Sequence, residues 1–193
     1  MSDAYTLGFD TSAAHCAAAL LCGSRLVAAR AEQMTRGQAE RLMPLLEELL
    51  HECGIAWGDL GRIGVGVGPG NFTGIRIGVS AARGLALALE IPAIGVTGFQ
   101  VIAFGDSARH IAAIPAPRDH LHVQMPGGEQ ELVPMADAAA MGAPLRYLPE
   151  PGETTRRIAC LASVATPGAA PAPLYLRAAD AAPARDAPPV LLD

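Results

Sequence analysis

Tyr5–Asp10, His15–Cys22 and Leu26–Ala31 are short apolar runs joined by tight turns, the second of them Gly23-Ser24. Runs of this length bounded by turn residues predict three strands in an antiparallel meander. From Ala39 to Cys53 the period becomes helical. Leu42, Met43, Leu45, Leu46, Leu49 and Leu50 fall within an arc of about 160° at about 100° per residue, and Glu40, Arg41, Glu47, Glu48, His51 and Glu52 fill the rest. Gly54 supplies the helix stop. Ile63–Val67 then reads as a buried strand, Thr73–Leu89 as a helix, Ala93–Val96 as a strand and Gly98–Phe104 as a helix.

The resulting order, βββαβαβα within residues 1–105, departs from the strict alternation of a doubly wound domain. It is the order of one lobe of the actin-like ATPase (ASKHA) α/β fold. After Gly105 the pattern weakens. Ile111–Ile114, Leu121–Met125 and Glu131–Pro134 predict three more strands, Ala136–Met141 a short helix, Arg146–Leu148 a strand and Arg156–Ala165 a helix. Residues 106–177 are therefore expected to form a shortened second lobe. Residues 178–193, rich in Ala and Pro, are expected to be a disordered tail.

Composition narrows the function classes. With 51% hydrophobic and 17% charged residues over 193 positions, the chain can bury a substantial core. Its formal net charge of −5 argues against a basic nucleic-acid groove of its own, so an RNA substrate would be held by another subunit. All 14 basic Lys/Arg positions are Arg, which excludes a Walker A lysine and any Schiff-base chemistry. No basic-then-apolar leader opens the sequence, and apolar runs are broken before about 20 residues, so a cytoplasmic protein without membrane partners is expected. Cys16, Cys22, Cys53 and Cys160 lack C-x-x-C spacing, and His15, His120 and His122 have no third ligand at usable spacing, so no metal site is expected.

The segment Val65-Gly66-Val67-Gly68-Pro69-Gly70-Asn71-Phe72-Thr73-Gly74 places glycines and a proline between a strand and an apolar helix. Such a turn lets something approach bare backbone. Two readings stand: a phosphate cradle at a helix N-terminus capped by Thr73, or a tight strand-to-helix connection with close packing. Asp10-Thr11-Ser12 at the end of the first strand is the second candidate, yet Thr, Ser, Ala and Ala follow the acid where a phosphate turn needs glycine. Asp10, Thr11, Ser12, Gly68, Gly70, Asn71 and Thr73 thus form a candidate nucleotide loop for ATP or ADP, with no cofactor required and no catalytic residue assigned. Ser12, Ser80, Ser107 and Ser163 lack a nucleophile-elbow context.

Five motifs carry a family resemblance: Leu7-Gly8-Phe9-Asp10-Thr11-Ser12, Glu40-Arg41-Leu42-Met43-Pro44-Leu45-Leu46, Gly66 through Gly78, Arg83-Gly84-Leu85-Ala86, and Leu174-Tyr175-Leu176-Arg177. In these the chain resembles the TsaB family, accessory subunits of the bacterial machinery that makes N6-threonylcarbamoyladenosine (t6A) at adenosine 37 of tRNA, within a glycoprotease-like superfamily. The resemblance implies an actin-like fold, a heterodimer with the related catalytic subunit TsaD, a further partner in TsaE, homodimerisation when alone, tRNA contact only through the complex, and no transferase chemistry in this chain. It departs from the family at Asn71 (usually Ser), at Arg83 (usually Lys) and at Pro115-Ala116-Pro117-Arg118, where the family often carries an acid. No histidine pair stands near Val96–Val101, unlike the catalytic relatives. A stand-alone actin-like ATPase, kinase or peptidase is the alternative, and an acid facing Asp10 from the second lobe would favour it.

Gly74, Gly78, Ala82 and Ala86 recur every four residues along the second helix. With Leu42, Leu45, Leu46 and Leu49 of the first helix, whose apolar arc exceeds what one core needs, they are expected to form a helix-to-helix interface with a partner.

Overall fold

The computed structural model describes residues 4–176. Three strands, β1 (Tyr5–Asp10), β2 (His15–Cys22) and β3 (Arg25–Gln33), form the expected meander, β3 running further at both ends than its apolar core suggested. Helix α1 spans Gln38–Glu52, and Gly54 takes the left-handed conformation, φ 67°, just past its end. A 3-10 turn at Trp57–Asp59 leads into β4 (Leu60–Gly66), followed by α2 (Phe72–Leu89), β5 (Ala93–Val96) and α3 (Gly98–Ala103). The sheet order is β3-β2-β1-β4-β5, with β4 parallel to β1 and β5 parallel to β4.

The second half repeats this plan in shortened form. Strands β6 (Ile111–Ala116), β7 (His120–Gln124) and β8 (Gln130–Pro134) make another meander, and a short α4 (Met135–Ala138) leads to β9 (Leu145–Arg146) parallel to β6. The order β8-β7-β6-β9 is that of the first sheet without its last strand. Helix α5 (Pro151–Val164) begins five residues before its expected start. Pro151 occupies the first turn, where its missing N–H costs nothing, and the Glu150 side chain accepts from the Glu153 N–H.

Helix α5 does not stay with the second sheet. It crosses β1, β2 and β4 on the face opposite α1 and α2. Gly8 and Gly64 make this possible: a Cβ at Gly8 would stand 2.7 Å from the backbone of Thr155 and Ala159, and one at Gly64 2.8 Å from the Ala162 methyl. A helix expected in the 106–177 lobe therefore completes the first sheet, and the Arg62 guanidinium donates to the Ala162 carbonyl near the end of α5.

The main core lies between the sheet and α1/α2, built from Leu7, Phe9, Leu20, Ile63, Val65 and Ile75 against Leu42, Leu45, Leu46 and Leu49. Phe99, Ile102 and Ile114, with the half-buried Leu148, Leu174 and Leu176, join the two sheets. Helix α2 is a continuous 18-residue segment of mean hydropathy 1.3, more continuous than the broken apolar runs suggested, but Gly74, Ile75, Gly78, Val79 and Ala82 are buried on the sheet and Arg76 and Arg83 are exposed. That pattern belongs to a helix packed on one side. The tail, residues 178–193, and Arg177 of the last motif lie outside the described residues.

Candidate functional site

The turn after β1 and the glycine loop after β4 lie against each other, and the side chains of Asp10, Thr11 and Ser12 bond to neighbouring chain. Asp10 is 2% exposed. Its Oδ2 is 2.8 Å from Nε2 of His15, also buried, and accepts from the Ser12 hydroxyl at 3.0 Å. The Thr11 hydroxyl donates to the Gly74 carbonyl at 2.7 Å, and the Ser12 carbonyl accepts from the Asn71 N–H at 2.7 Å. Oδ1 of Asp10 has no hydrogen-bond partner among the described residues and packs on Gly66. His15 stands at the start of β2 and Asp10 at the end of β1, so the antiparallel hairpin itself brings them together.

The glycines are explained by the same contacts. A Cβ at Gly66 would collide with the Asp10 carboxylate, one at Gly70 with the Ser12 carbonyl and one at Gly74 with the Thr11 carbonyl; one at Gly78 would stand 2.9 Å from the Thr11 hydroxyl. Four glycines of the loop and helix thus accommodate residues 10–12 of the same chain. Gly68 is left-handed, φ 93°, and the Gly68–Pro69 peptide is cis. The tight-connection reading accounts for these positions without a ligand.

Thr73 is not the helix cap. Asn71 is, its Oδ1 accepting from the Gly74 N–H at 2.8 Å, while Thr73 is exposed. Both residues can cap, and the bond between Asn71 N–H and Ser12 fixes which one does. Of the proposed nucleotide-loop residues, Asp10, Thr11 and Ser12 are buried, Gly68 is buried, and Gly70 and Asn71 face a cleft of about 580 Å³ between the two lobes. Pro69, Phe72 and Ile75 line it from one side, Ala116, His122 and Leu132 from the other. Asp10, Thr11 and Ser12 do not reach it.

The resemblance to actin-like ATPases gives Asp10 the place of an acid that orients the metal of a bound nucleotide. Here that acid is enclosed by His15, Ser12 and Gly66, and the glycine positions are filled by backbone, so these residues do not fit the group. No group of three or more metal-ligating side chains occurs among the described residues. The thiol of Cys16, under the same sheet, is pushed up to about 11 by burial and is correspondingly unreactive.

The expected partner surface also needs correction. Leu42, Leu45, Leu46 and Leu49 are at most 1% exposed, and Gly74, Gly78 and Ala82 are buried, all within this chain's own fold, Gly74 and Gly78 against the turn after β1. The wide arc of α1 is consumed because the helix meets both the sheet and α2. Ala86 alone of the set is half-exposed. What α2 presents outward is Ser80, Gly84, Leu87 and Ala88, flanked by the half-buried Ile77, Ala81 and Leu85. Leu87 is 82% exposed, and a Cβ at Gly84 would meet nothing within 4 Å.

The element order, the two sheets of matching strand order and the inter-lobe cleft define an actin-like α/β protein. A family model described as TsaD, tRNA N6-adenosine threonylcarbamoyltransferase, matches residues 30–141. The chain belongs to the family that this model describes. It is 36% identical over 115 residues to the tRNA threonylcarbamoyladenosine biosynthesis protein TsaB of Escherichia coli, covering 57% of this chain and 49% of that protein. To the Bacillus subtilis protein of the same name it is 35% identical over 111 residues, covering 58% and 48%. The matches span about half the length of these curated relatives. A Pseudomonas aeruginosa crystal structure, described as an uncharacterized protein with similarity to peptidase YeaZ, superposes with a TM-score of 0.75 at 27% identity, covering 90% of this chain and 100% of that one.

Proposed function

We propose that this chain is a non-catalytic subunit in the formation of t6A on tRNA, pairing with a TsaD-type catalytic subunit and working with TsaE in the cytoplasm. The observation that carries the reading is the enclosure of Asp10. The acid that would orient a metal and nucleotide in an active relative is held by His15 and Ser12 beneath a loop whose glycine positions are filled by this chain. Any ATP or ADP bound by the complex is then held by the partner or at the junction with it, and tRNA reaches this acidic chain through the complex.

The outward side of α2 is the proposed contact with TsaD. It combines an exposed Leu87 with small residues at Ser80, Ala81, Gly84 and Ala88, a surface on which a second helix can lie close. Gly84→Arg tests it. The side chain enters open space, so the isolated chain should melt within about 2 °C of the parent. Co-purification with the cognate TsaD and t6A formation in the reconstituted system should both fall at least about tenfold, as the loss of a hot-spot contact does. Unimpaired association would move the interface elsewhere. ATP or peptide hydrolysis by the chain alone, abolished by Asp10→Asn, would replace the subunit reading with a stand-alone enzyme.

A further inference from the structure

Five arginines of this chain, Arg30, Arg41, Arg146, Arg156 and Arg157, pair with its carboxylates. Two on α2 do not. Arg76 and Arg83, both exposed and seven residues apart, line one groove of about 470 Å³ with Ser80 and Tyr175, and the groove meets the inter-lobe cleft at Arg76 and Tyr175. Neither lining contains an Asp or Glu, in a chain that has 19 of them. Arg83 has no hydrogen bond or ion pair among the described residues. Arg76 is held without being neutralised: its guanidinium lies 3.9 Å over the Phe72 ring and its Nε donates to the Tyr175 hydroxyl at 2.8 Å, which leaves its two Nη groups for a ligand. Phe72 and Tyr175 stand with ring centroids 5.0 Å apart and are 49% and 42% exposed.

We propose, resting on the t6A reading above, that this groove takes one strand of the tRNA, with two phosphates on Arg76 and Arg83 and an unstacked base against Phe72 and Tyr175. Seven residues of helix set the two Cα atoms about 10 Å apart. Arg76 is turned back toward Phe72, away from Arg83, so the pair meets separate points of an extended polyanion. The aromatic rings favour RNA over an acidic helix, because a base gains by lying on exposed rings and a carboxylate does not. Net charge does not oppose the contact. A charge of −5 keeps the isolated chain from holding tRNA, but once the complex has brought the strand within a Debye length, about 8 Å in physiological salt, the local field of the groove decides the contact.

The test uses the full chain reconstituted with its cognate TsaD and TsaE, and measures tRNA affinity over a series of salt concentrations for the parent, Arg76→Gln/Arg83→Gln and Phe72→Ala. The arginine variant should bind tRNA about tenfold more weakly at low salt, and the slope of log affinity against log salt should become shallower by about 1.4, at about 0.7 per phosphate lost. Phe72→Ala should weaken binding at least about fivefold with a slope close to the parent's, since Tyr175 still holds Arg76 and a stacking contact releases no counterions. Both variants should associate with TsaD as the parent does. An unchanged affinity in either variant, or an unchanged slope in the arginine variant, would overturn the proposal. So would loss of TsaD association in the arginine variant, which would give these arginines a protein carboxylate as their partner. Failure of the t6A reading is read separately, from the parent: a parent chain that does not associate with TsaD would remove both.

Discussion

One face of the five-stranded sheet carries Leu7, Phe9, Leu20, Ile63 and Val65 and is covered by α1 and α2; the other carries Gly8 and Gly64, with Ala17 and Ala19 alternating onto it, and is covered by α5. The first face is held by volume. Each leucine of α1 fills space between helix and sheet, and the binding is spread over many side chains. The second is held by proximity. Helix α5 brings Thr155, Ala159 and Ala162 down onto bare backbone, so contact is made by main chain and methyl groups at short range. A face built on volume degrades gradually when one side chain shrinks, whereas a face built on proximity fails when one grows.

The largest effect should follow from Gly8→Val. Its Cβ would lie 2.7 Å from the α5 backbone, which cannot rotate away as a side chain can, so α5 must leave the sheet. A loss of more than about 4 kcal/mol is expected, read as unfolded or insoluble protein by circular dichroism. A melt close to the parent's would show that α5 is not seated as described and would dissolve the contrast between the faces.

Leu46→Ala on the opposite face should cost less and leave the fold intact. Removing a fully buried leucine costs about 2–5 kcal/mol according to how far the cavity collapses, and denaturant unfolding should show a lowered midpoint with an unchanged slope. A cost below about 1 kcal/mol would mean that α1 is not core and would restore it as a partner surface.

The smallest effect sharpens the picture at the start of α5. The Glu153 carboxyl is held down to about 2, chiefly by its hydrogen bonds to Arg156, with Arg157 adding to the effect. Its value in the folded chain lies below that in the unfolded chain, so its contribution is complete above about pH 5 and is lost as the pH falls toward 2. The pair is partly solvated, so Glu153→Gln should cost no more than about 1 kcal/mol at pH 7 and flatten the acid side of the stability profile. A variant whose loss persists at pH 2 would show that Glu153 acts through packing instead of charge.

The period of the α1 leucines and the apolar runs of β1, β2, β4 and β5 were enough to place the first lobe, because each element there has a strong local pattern. The short second lobe was legible as a copy of it, with boundaries shifted where α4 and β9 are only four and two residues long. What local pattern could not give was the purpose of the glycines. Ile63-Gly64-Val65-Gly66-Val67 alternates large and absent side chains, which marks one filled face and one bare face, but the element that closes on the bare face starts about ninety residues later. The partner of Asp10 was within reach of sequence reasoning. A hairpin that pairs Asp10 with Ala17 sets His15 diagonally across from the acid, and the register carried that information.

The route of α5 also sets a schedule for the molecule's own synthesis. Strands β1, β2 and β4 are complete by residue 66, yet the helix that covers their second face is not finished until residue 164, about a hundred residues later. At roughly 5–20 residues per second the nascent sheet waits about 5–20 seconds with that side bare. A leucine-rich surface left open for so long would attract other chains. The side left waiting is the one furnished with glycine and alanine, while the leucine side is sheathed at once by α1 and α2, its immediate neighbours in the chain.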